Sequence, residues 1–106
     1  MDLEKYKIIF EPRVVSDLKD IVKYIADTLK EPEIAERIYT SIKERIFSLE
    51  TMPYRHKLVN DEPFHKIEIR ILPVENYSVF YFVEEKTKIV HIFRILYNRR
   101  EWKYLL

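Results

Sequence analysis

The hydrophobic pattern of the chain changes its period near residue 60, and this change limits the fold to one with a helical part and a β part. Between residues 14 and 49 apolar side chains recur every three or four positions, the spacing of one helical face. From residue 65 they alternate with charged side chains, as in a strand with one face in solvent. The chain has 106 residues, which is enough for one core, and we therefore expect a single domain over residues 1–106.

Two helices are predicted before residue 53. Pro32 suits the first turn of the second helix, and Met52-Pro53 ends it. The link between them is short, so the helices are expected to form an antiparallel hairpin. Asp17 falls in the first turn of the first helix, where its charge suits the free amides. The predicted buried faces are Val14, Leu18, Ile21, Val22, Ile25 and Leu29, then Ala35, Ile38, Tyr39, Ile42, Ile46 and Leu49.

Four strands are predicted around this hairpin, and the third in sequence is apolar enough to be covered on both faces. The predicted strands are Tyr6–Phe10, His65–Leu72, Tyr77–Val83 and Ile89–Tyr97, with a turn at Pro73–Asn76 and a loop at Glu84–Lys88. The fold class is therefore α+β: an N-terminal strand, an antiparallel helical hairpin, and a three-strand antiparallel meander that forms a curved sheet.

The chain has no glycine, so positions that need a positive φ must use other residues. Asparagine tolerates this conformation best among them. Asn60, Asn76 and Asn98 lie where turns or element ends are predicted, and we expect them to adopt it.

Composition excludes several kinds of site. The chain has no cysteine, which rules out disulfides and thiolate ligands, and no glycine loop for a nucleotide cofactor. His56 and His65 lack a third ligand nearby, so we expect neither a metal nor another cofactor. The chain contains no apolar run long enough to span a membrane and starts with a charged segment, which indicates a cytoplasmic protein.

Charge is distributed unevenly, although the net charge is only +1. Residues 64–106 carry eight Lys and Arg against five Asp and Glu, whereas residues 1–63 carry eleven against thirteen. The sequence therefore predicts a weakly positive end of the molecule that suits an acidic or nucleic-acid partner.

Four stretches in order resemble the RelE/ParE toxins of type II toxin–antitoxin systems, also described as plasmid stabilisation proteins, over about residues 6–104. They are Ile8-Ile9-Phe10-Glu11-Pro12 with Asp17-Leu18; Ala35-Glu36-Arg37-Ile38 through Met52-Pro53-Tyr54-Arg55; Ile69 through Tyr81; and Val90 through Glu101. The resemblance implies a toxin that arrests bacterial growth and is neutralised by a cognate antitoxin. An extended antitoxin segment could pair with a free sheet edge, and an amphipathic helix could fill an apolar groove of the hairpin.

The resemblance covers two mechanisms. RelE-like toxins cut messenger RNA on the ribosome by 2′-hydroxyl attack, whereas ParE-like toxins inhibit DNA gyrase. RNA-cutting relatives carry Arg directly after the first Tyr of the central strand, where this chain has Ser78. Their paired lysines one strand earlier are replaced by Glu68 and Arg70. Gyrase inhibition is therefore slightly favoured, and the alternatives are an mRNA endoribonuclease and a non-toxic protein-binding domain.

The candidate site residues cluster towards the end of the chain. If the chain is an enzyme, Arg99, which aligns with a catalytic Arg of RelE, would act with Arg94 and Tyr104 as charge stabiliser and proton donor. The candidate target-binding residues are Arg70, Tyr97, Arg100 and Lys103. Each also has a structural interpretation: Arg94 could pair with a buried carboxylate, Arg70 could face solvent, and Tyr97 could be a packing group.

Overall fold

A computed structural model describes residues 5–60 and 62–98 and shows the predicted α+β architecture. The first helix continues into one π-helical turn at Tyr24–Thr28, and the second helix ends in a 3-10 turn at Ser48–Glu50. The elements are β1 Lys7–Phe10, α1 Pro12–Lys23, α2 Pro32–Phe47, β2 Arg70–Val74, β3 Tyr77–Glu84 and β4 Ile89–Tyr97.

The four strands form one sheet in the order β1-β4-β3-β2. Strands β2, β3 and β4 are antiparallel neighbours, which confirms the predicted meander. Strand β1 pairs with β4 in parallel, with Lys7 opposite Ile89 and Phe10 opposite Ile92, so the sheet is mixed rather than wholly antiparallel. A parallel pair needs a long crossover connection, and the chain between β1 and β4, which includes both helices, provides it.

The sheet is covered on both faces, but by different means. One face packs against α1 and α2 in a cluster that includes Val14, Ile42, Ile46, Leu72 and Ile92. The other face holds a smaller cluster of Val59, Ile69, Phe80 and Leu96, closed by the irregular segment between α2 and β2. Residues 78–81 of β3 are all buried as a result, which confirms the prediction of a central strand covered on both sides.

Strand β2 begins five residues later than the alternating pattern predicted. Residues 62–68 form turns, Glu68 has a φ of 59°, and the side chain of Ile67 is 59% exposed. Pro73 belongs to β2, and the turn to β3 consists of Glu75 and Asn76. Alternating apolar and polar residues therefore do not by themselves define a strand, because the irregular segment that leads into β2 has the same alternation.

The prediction for positive φ was wrong. The three asparagines do not adopt it; among residues 5–60 and 62–98 the ones that do, with φ between 53° and 59°, are Lys30, Met52, Glu68, Glu75 and Lys88. Lys30 follows the end of the first helix, and the next amide, of Glu31, reaches back to the carbonyl of Ile25. Each such residue costs about 1–2 kcal/mol because its Cβ crowds the backbone. The ends of the helices and strands determine which positions have a positive φ, whether or not the residue there suits that conformation.

Two residues of the predicted helical faces lie outside the core. Leu29 is 51% exposed, because the π-helical turn before it inserts an extra residue and rotates it away from the buried face. Tyr39 is 38% exposed on the outer side of α2. Tyr39 lines an apolar groove between the two helices.

Candidate functional site

Asp17 and Arg94 form a buried ion pair that joins α1 to β4. Arg94 donates from Nε to Asp17 Oδ2 at 2.8 Å and from Nη2 to Oδ1 at 3.2 Å, and the amide of Ile95 donates to Oδ2 at 3.0 Å. The side chains are only 9% and 11% exposed. Helix α1 begins at Pro12 and has no side-chain cap at its start, so Asp17 lies beyond the first turn, and the prediction that its charge suits the free amides there was wrong.

A bulge in β4 accompanies this pair. Arg94 lies opposite Phe80 and Ile92 opposite Tyr81, so Phe93 is an extra residue on its strand. Bulges re-aim side chains. Here Arg94 reaches the Asp17 carboxylate while the following amide, of Ile95, reaches it too. The predicted catalytic residue Arg94 thus pairs with a buried carboxylate, which was the structural interpretation of this residue in the sequence.

Arg70 lies at the start of β2 and holds the preceding segment in place. Its Nη1 donates to the carbonyl oxygens of His56 at 2.7 Å and Tyr54 at 3.1 Å, and its guanidinium lies 5.1 Å from the centre of the Tyr54 ring. Since it alternates with Ile69 and Ile71 of the smaller cluster, it is on the helix-facing side of β2. This candidate target-binding residue is half-buried and has internal partners.

The end of β4 carries the remaining described candidate. Tyr97 is 38% exposed and packs edge-on against Tyr77, with ring centres 5.6 Å apart. Beside it Ser78 is buried, and its hydroxyl donates to Oδ1 of Asn98. The other four candidates, Arg99, Arg100, Lys103 and Tyr104, lie outside the described residues. Of the three predicted catalytic residues, only Arg94 is among the described residues, and the catalytic set stays a prediction.

His91 is held between two carboxylates on the side of the sheet near β1. Its Nδ1 lies 3.0 Å from Glu11 Oε1 and its Nε2 lies 2.8 Å from Glu84 Oε1, while its ring stacks on Phe82 at 4.7 Å. Burial opposes protonation of His91, but the hydrogen bonds to Glu84 and Glu11 outweigh it, so its pKa is raised. The hydrogen bond from His91 lowers the pKa of Glu84. The cluster links β4 to Glu11 and to the end of β3 through hydrogen bonds whose strength depends on pH.

We expect His91→Gln to destabilise the protein more at mildly acidic pH than at alkaline pH. A histidine with a raised folded pKa stabilises fully below its ordinary value of 6.5 and loses this effect as pH rises through the folded pKa. Glu84, with a lowered pKa, stabilises above 4.5 and loses its effect as pH falls through the folded pKa. Urea unfolding of both proteins should show the largest difference between pH 4.5 and 6.5. A difference that is constant, or larger at pH 9, would contradict this assignment.

An apolar groove of about 640 Å³ runs along the outer side of the helical hairpin. Its exposed apolar side chains include Val15, Tyr39 and Phe47. Lys19 and Lys43 lie among its lining residues, and Lys43 extends over the Tyr39 ring at 5.2 Å. The groove is lined by Phe10, Val14, Val15, Leu18, Lys19, Val22, Ala26, Pro32, Ala35, Glu36, Tyr39, Lys43 and Phe47. A surface this apolar is typical of a partner-binding site.

Sequence analysis missed a basic cluster at the far end of α2. It consists of Arg45, Arg55, His56 and Arg70, which lie 25 residues apart in the chain and carry no recognisable spacing. The sequence suggested His56 only as a metal ligand.

Among residues 5–60 and 62–98, no group of three or more metal-binding side chains comes together. No helix in the same ranges is long and apolar enough to cross a bilayer.

Comparisons with known proteins agree with this geometry. Three similar solved structures are a chromosomal ParDE system from P. aeruginosa (22% identity, TM-score 0.71), the RelBE2 toxin–antitoxin complex from Mycobacterium tuberculosis (20%, 0.66) and an archaeal RelE–RelB complex from Pyrococcus horikoshii OT3 (19%, 0.62). They cover 89%, 91% and 91% of this chain, and this chain covers 97%, 94% and 98% of theirs. At these identities the likeness shows the RelE/ParE-like fold.

No curated protein matches the sequence at a significant level. A family model does, and it is described as "ParE toxin of type II toxin-antitoxin system, parDE". The match runs over residues 8–102, which include both helices and all four strands except Lys7, the first residue of β1. The chain therefore belongs to the ParE family of toxins of type II toxin–antitoxin systems.

Proposed function

We propose that this protein arrests bacterial growth by inhibiting DNA gyrase, without cleaving RNA, and that a cognate antitoxin neutralises it in the cytoplasm. The observation that carries the choice of target is the environment of Ser78. RNA-cutting relatives have an arginine at this position, and here the position is uncharged, 3% exposed and hydrogen-bonded to Asn98. A phosphorane-like transition state needs fixed positive charge close to the reacting phosphate, and Ser78 provides none.

The partners of Arg94 and Arg70, the two candidate arginines among the described residues, support the same choice. Arg94 donates to Asp17, and Arg70 donates to the carbonyls of Tyr54 and His56. A guanidinium that already holds the fold together is poorly placed to gain new hydrogen bonds as charge develops on a substrate. An inhibitor that acts by binding has no such requirement, since it needs only a complementary surface.

RNA cleavage by Arg99, Tyr104 and Arg94 is the alternative. The likeness to the RelE structures supports this second candidate. The target is tested by adding the purified protein to DNA gyrase and relaxed plasmid. Gyrase inhibition predicts loss of negative supercoiling, with unchanged 5′ ends of ribosome-bound messages in primer extension. Codon-linked cuts with normal supercoiling would reverse the choice, and neither effect would favour a non-toxic binding domain.

The antitoxin is proposed to occupy two places on this chain. The apolar groove of the hairpin suits an amphipathic helix, and β1 lies at the edge of the sheet, where an extended segment can add a strand. Lys19 and Lys43 at the groove favour acidic residues beside the apolar face of that helix. The similar ParDE and RelBE structures are those of toxin–antitoxin systems, which supports a partner of this kind.

Single charges placed in the groove should separate antitoxin binding from folding. We expect Val15→Glu or Tyr39→Glu to weaken binding of the co-encoded antitoxin at least tenfold, because each buries a carboxylate where an apolar side chain stood. Both positions are partly exposed, and each new Glu has a lysine four residues later, Lys19 or Lys43, so the fold should be retained.

Ile67→Glu is the matched control, since Ile67 is 59% exposed and does not line the groove. Titration calorimetry with the antitoxin should give wild-type affinity for this control. Equal affinity for the groove variants and the control would show that the antitoxin binds elsewhere.

A further inference from the structure

Three arginines and a histidine meet where α2 ends and β2 begins. Arg55 Nη2 donates to Ser48 Oγ at 2.7 Å, and the same hydroxyl donates to the carbonyl of Arg45. Arg55 Nε donates to His56 Nε2 at 3.2 Å, and Arg70 donates to the carbonyl of His56 at 2.7 Å. The four residues therefore lie within one patch of surface, on which Arg45 and Arg55 are exposed.

No arginine of this patch has an ion-pair partner among residues 5–60 and 62–98, although the Glu85 carboxylate lies nearby and accepts a hydrogen bond from the Tyr54 hydroxyl. None of the ion pairs there includes Arg45, Arg55 or Arg70, whereas Arg37 on the same helix pairs with Glu75 at 2.8 Å. The carboxyl end of α2 offsets only about half a charge. In a chain with nearly equal numbers of acidic and basic residues, three adjacent unneutralised guanidiniums indicate a missing anionic partner.

The histidine responds to this surplus charge. Burial first, and then the positive charges of Arg55, Arg45 and Arg70, lower the pKa of His56. Its ring also packs edge-on against the buried Tyr81, whose hydroxyl is committed to the carbonyl of Pro53 at 2.7 Å. His56 is therefore neutral at pH 7 and accepts the bond from Arg55; an anion in the patch would favour its protonated form.

We propose that Arg45, Arg55 and His56 form a binding site for a phosphate group, supplied by a nucleic-acid backbone or by a free nucleotide, while Arg70 adds positive charge and holds the segment that carries His56. Arginine forks match phosphate oxygens in pairs. The ring of Tyr54, 45% exposed with Arg70 over it, offers a surface on which a base can stack, and this favours a nucleotide phosphate over a carboxylate. The site does not include Ser78, and it does not depend on the choice between gyrase and RNA as target.

The test is NMR titration of the full-length protein with inorganic phosphate, adenosine monophosphate and a short single-stranded RNA. Each probe should raise the pKa of His56 and shift the Nε–H signal of Arg55. The double variant Arg45→Ala/Arg55→Ala should lose about tenfold or more in affinity. Arg70 is left unchanged, because it anchors the segment that carries Tyr54 and His56.

Arg37→Ala is the matched control, since it removes an arginine from the same helix whose charge Glu75 already balances. Tighter binding of RNA than of the two small probes would identify a nucleic-acid backbone as the source, and equal binding a free nucleotide or phosphate. An unchanged His56 pKa at saturating phosphate, or an equal loss in Arg37→Ala, would overturn the proposal. So would an acidic peptide that binds the patch more tightly than the RNA.

Discussion

Asp17→Ala is expected to lower the free energy of unfolding by about 3–5 kcal/mol, the cost of breaking a buried ion pair by removing one partner. The substitution deprives the Arg94 guanidinium of two hydrogen bonds and the Ile95 amide of one. Small domains have only about 5–15 kcal/mol in total, so the variant should be close to unfolded at 37 °C. Urea unfolding monitored by circular dichroism measures the effect.

Two further variants show whether the charge or the hydrogen bonds matter. Asp17→Asn can still accept the Ile95 amide and should lose less than Asp17→Ala. Adding Arg94→Met to Asp17→Ala removes the buried guanidinium that has lost Asp17 and should recover part of the loss. If Asp17→Ala cost less than about 1 kcal/mol, the size of an exposed pair, the pair would not be what joins α1 to β4.

Changing Arg99 and Arg100 together to alanine is expected to abolish toxicity, whichever target is correct. Both lie in the most basic part of the sequence, and both proposed targets require a positive surface to approach nucleic acid or an acidic protein. The sequence predicts a solvated basic tail here, and substituting solvated charges rarely alters stability by more than about 0.5 kcal/mol, so the melting temperature should change little. A growth assay and thermal unfolding of the purified variant provide the two readouts.

The matched control is Lys23→Ala with Lys30→Ala, which removes the same charge from exposed positions near the end of the first helix. It should remain toxic. If the Arg99 and Arg100 variant kept full toxicity with an unchanged melting curve, the functional surface would lie elsewhere, and the apolar groove of the hairpin would be the first place to look.

The parts of the fold that sequence could predict are those set by local pattern. The periodic spacing of residues such as Val14, Ile42 and Ile46 placed both helices and their buried faces. The apolar run that starts at Tyr77 identified the central strand. These signals come from residues close together in the chain, so they can be recognised without knowing what each helix or strand packs against.

What could not be predicted depends on residues far apart in the chain. Asp17 and Arg94 are 77 positions apart, and the bulge at Phe93 that lets them meet has no sequence signal of its own. The parallel pairing of β1 likewise depends on the path of the whole chain.

The basic cluster was missed for a related reason. Arg45 lies on a helix, Arg55 in an irregular segment and Arg70 on a strand, and each alone resembles an ordinary surface charge. The sequence names Arg70 as a candidate target-binding residue, but its partners in the structure are the carbonyls of a segment that the sequence pattern assigned to no element.

Growth of bacteria after induced expression of this chain alone tests the central claim, that it is a working toxin, most directly. The family membership and the groove that suits an antitoxin predict arrest soon after induction, and recovery when the co-encoded antitoxin is expressed. Normal growth of cells that contain soluble, folded protein would contradict the claim.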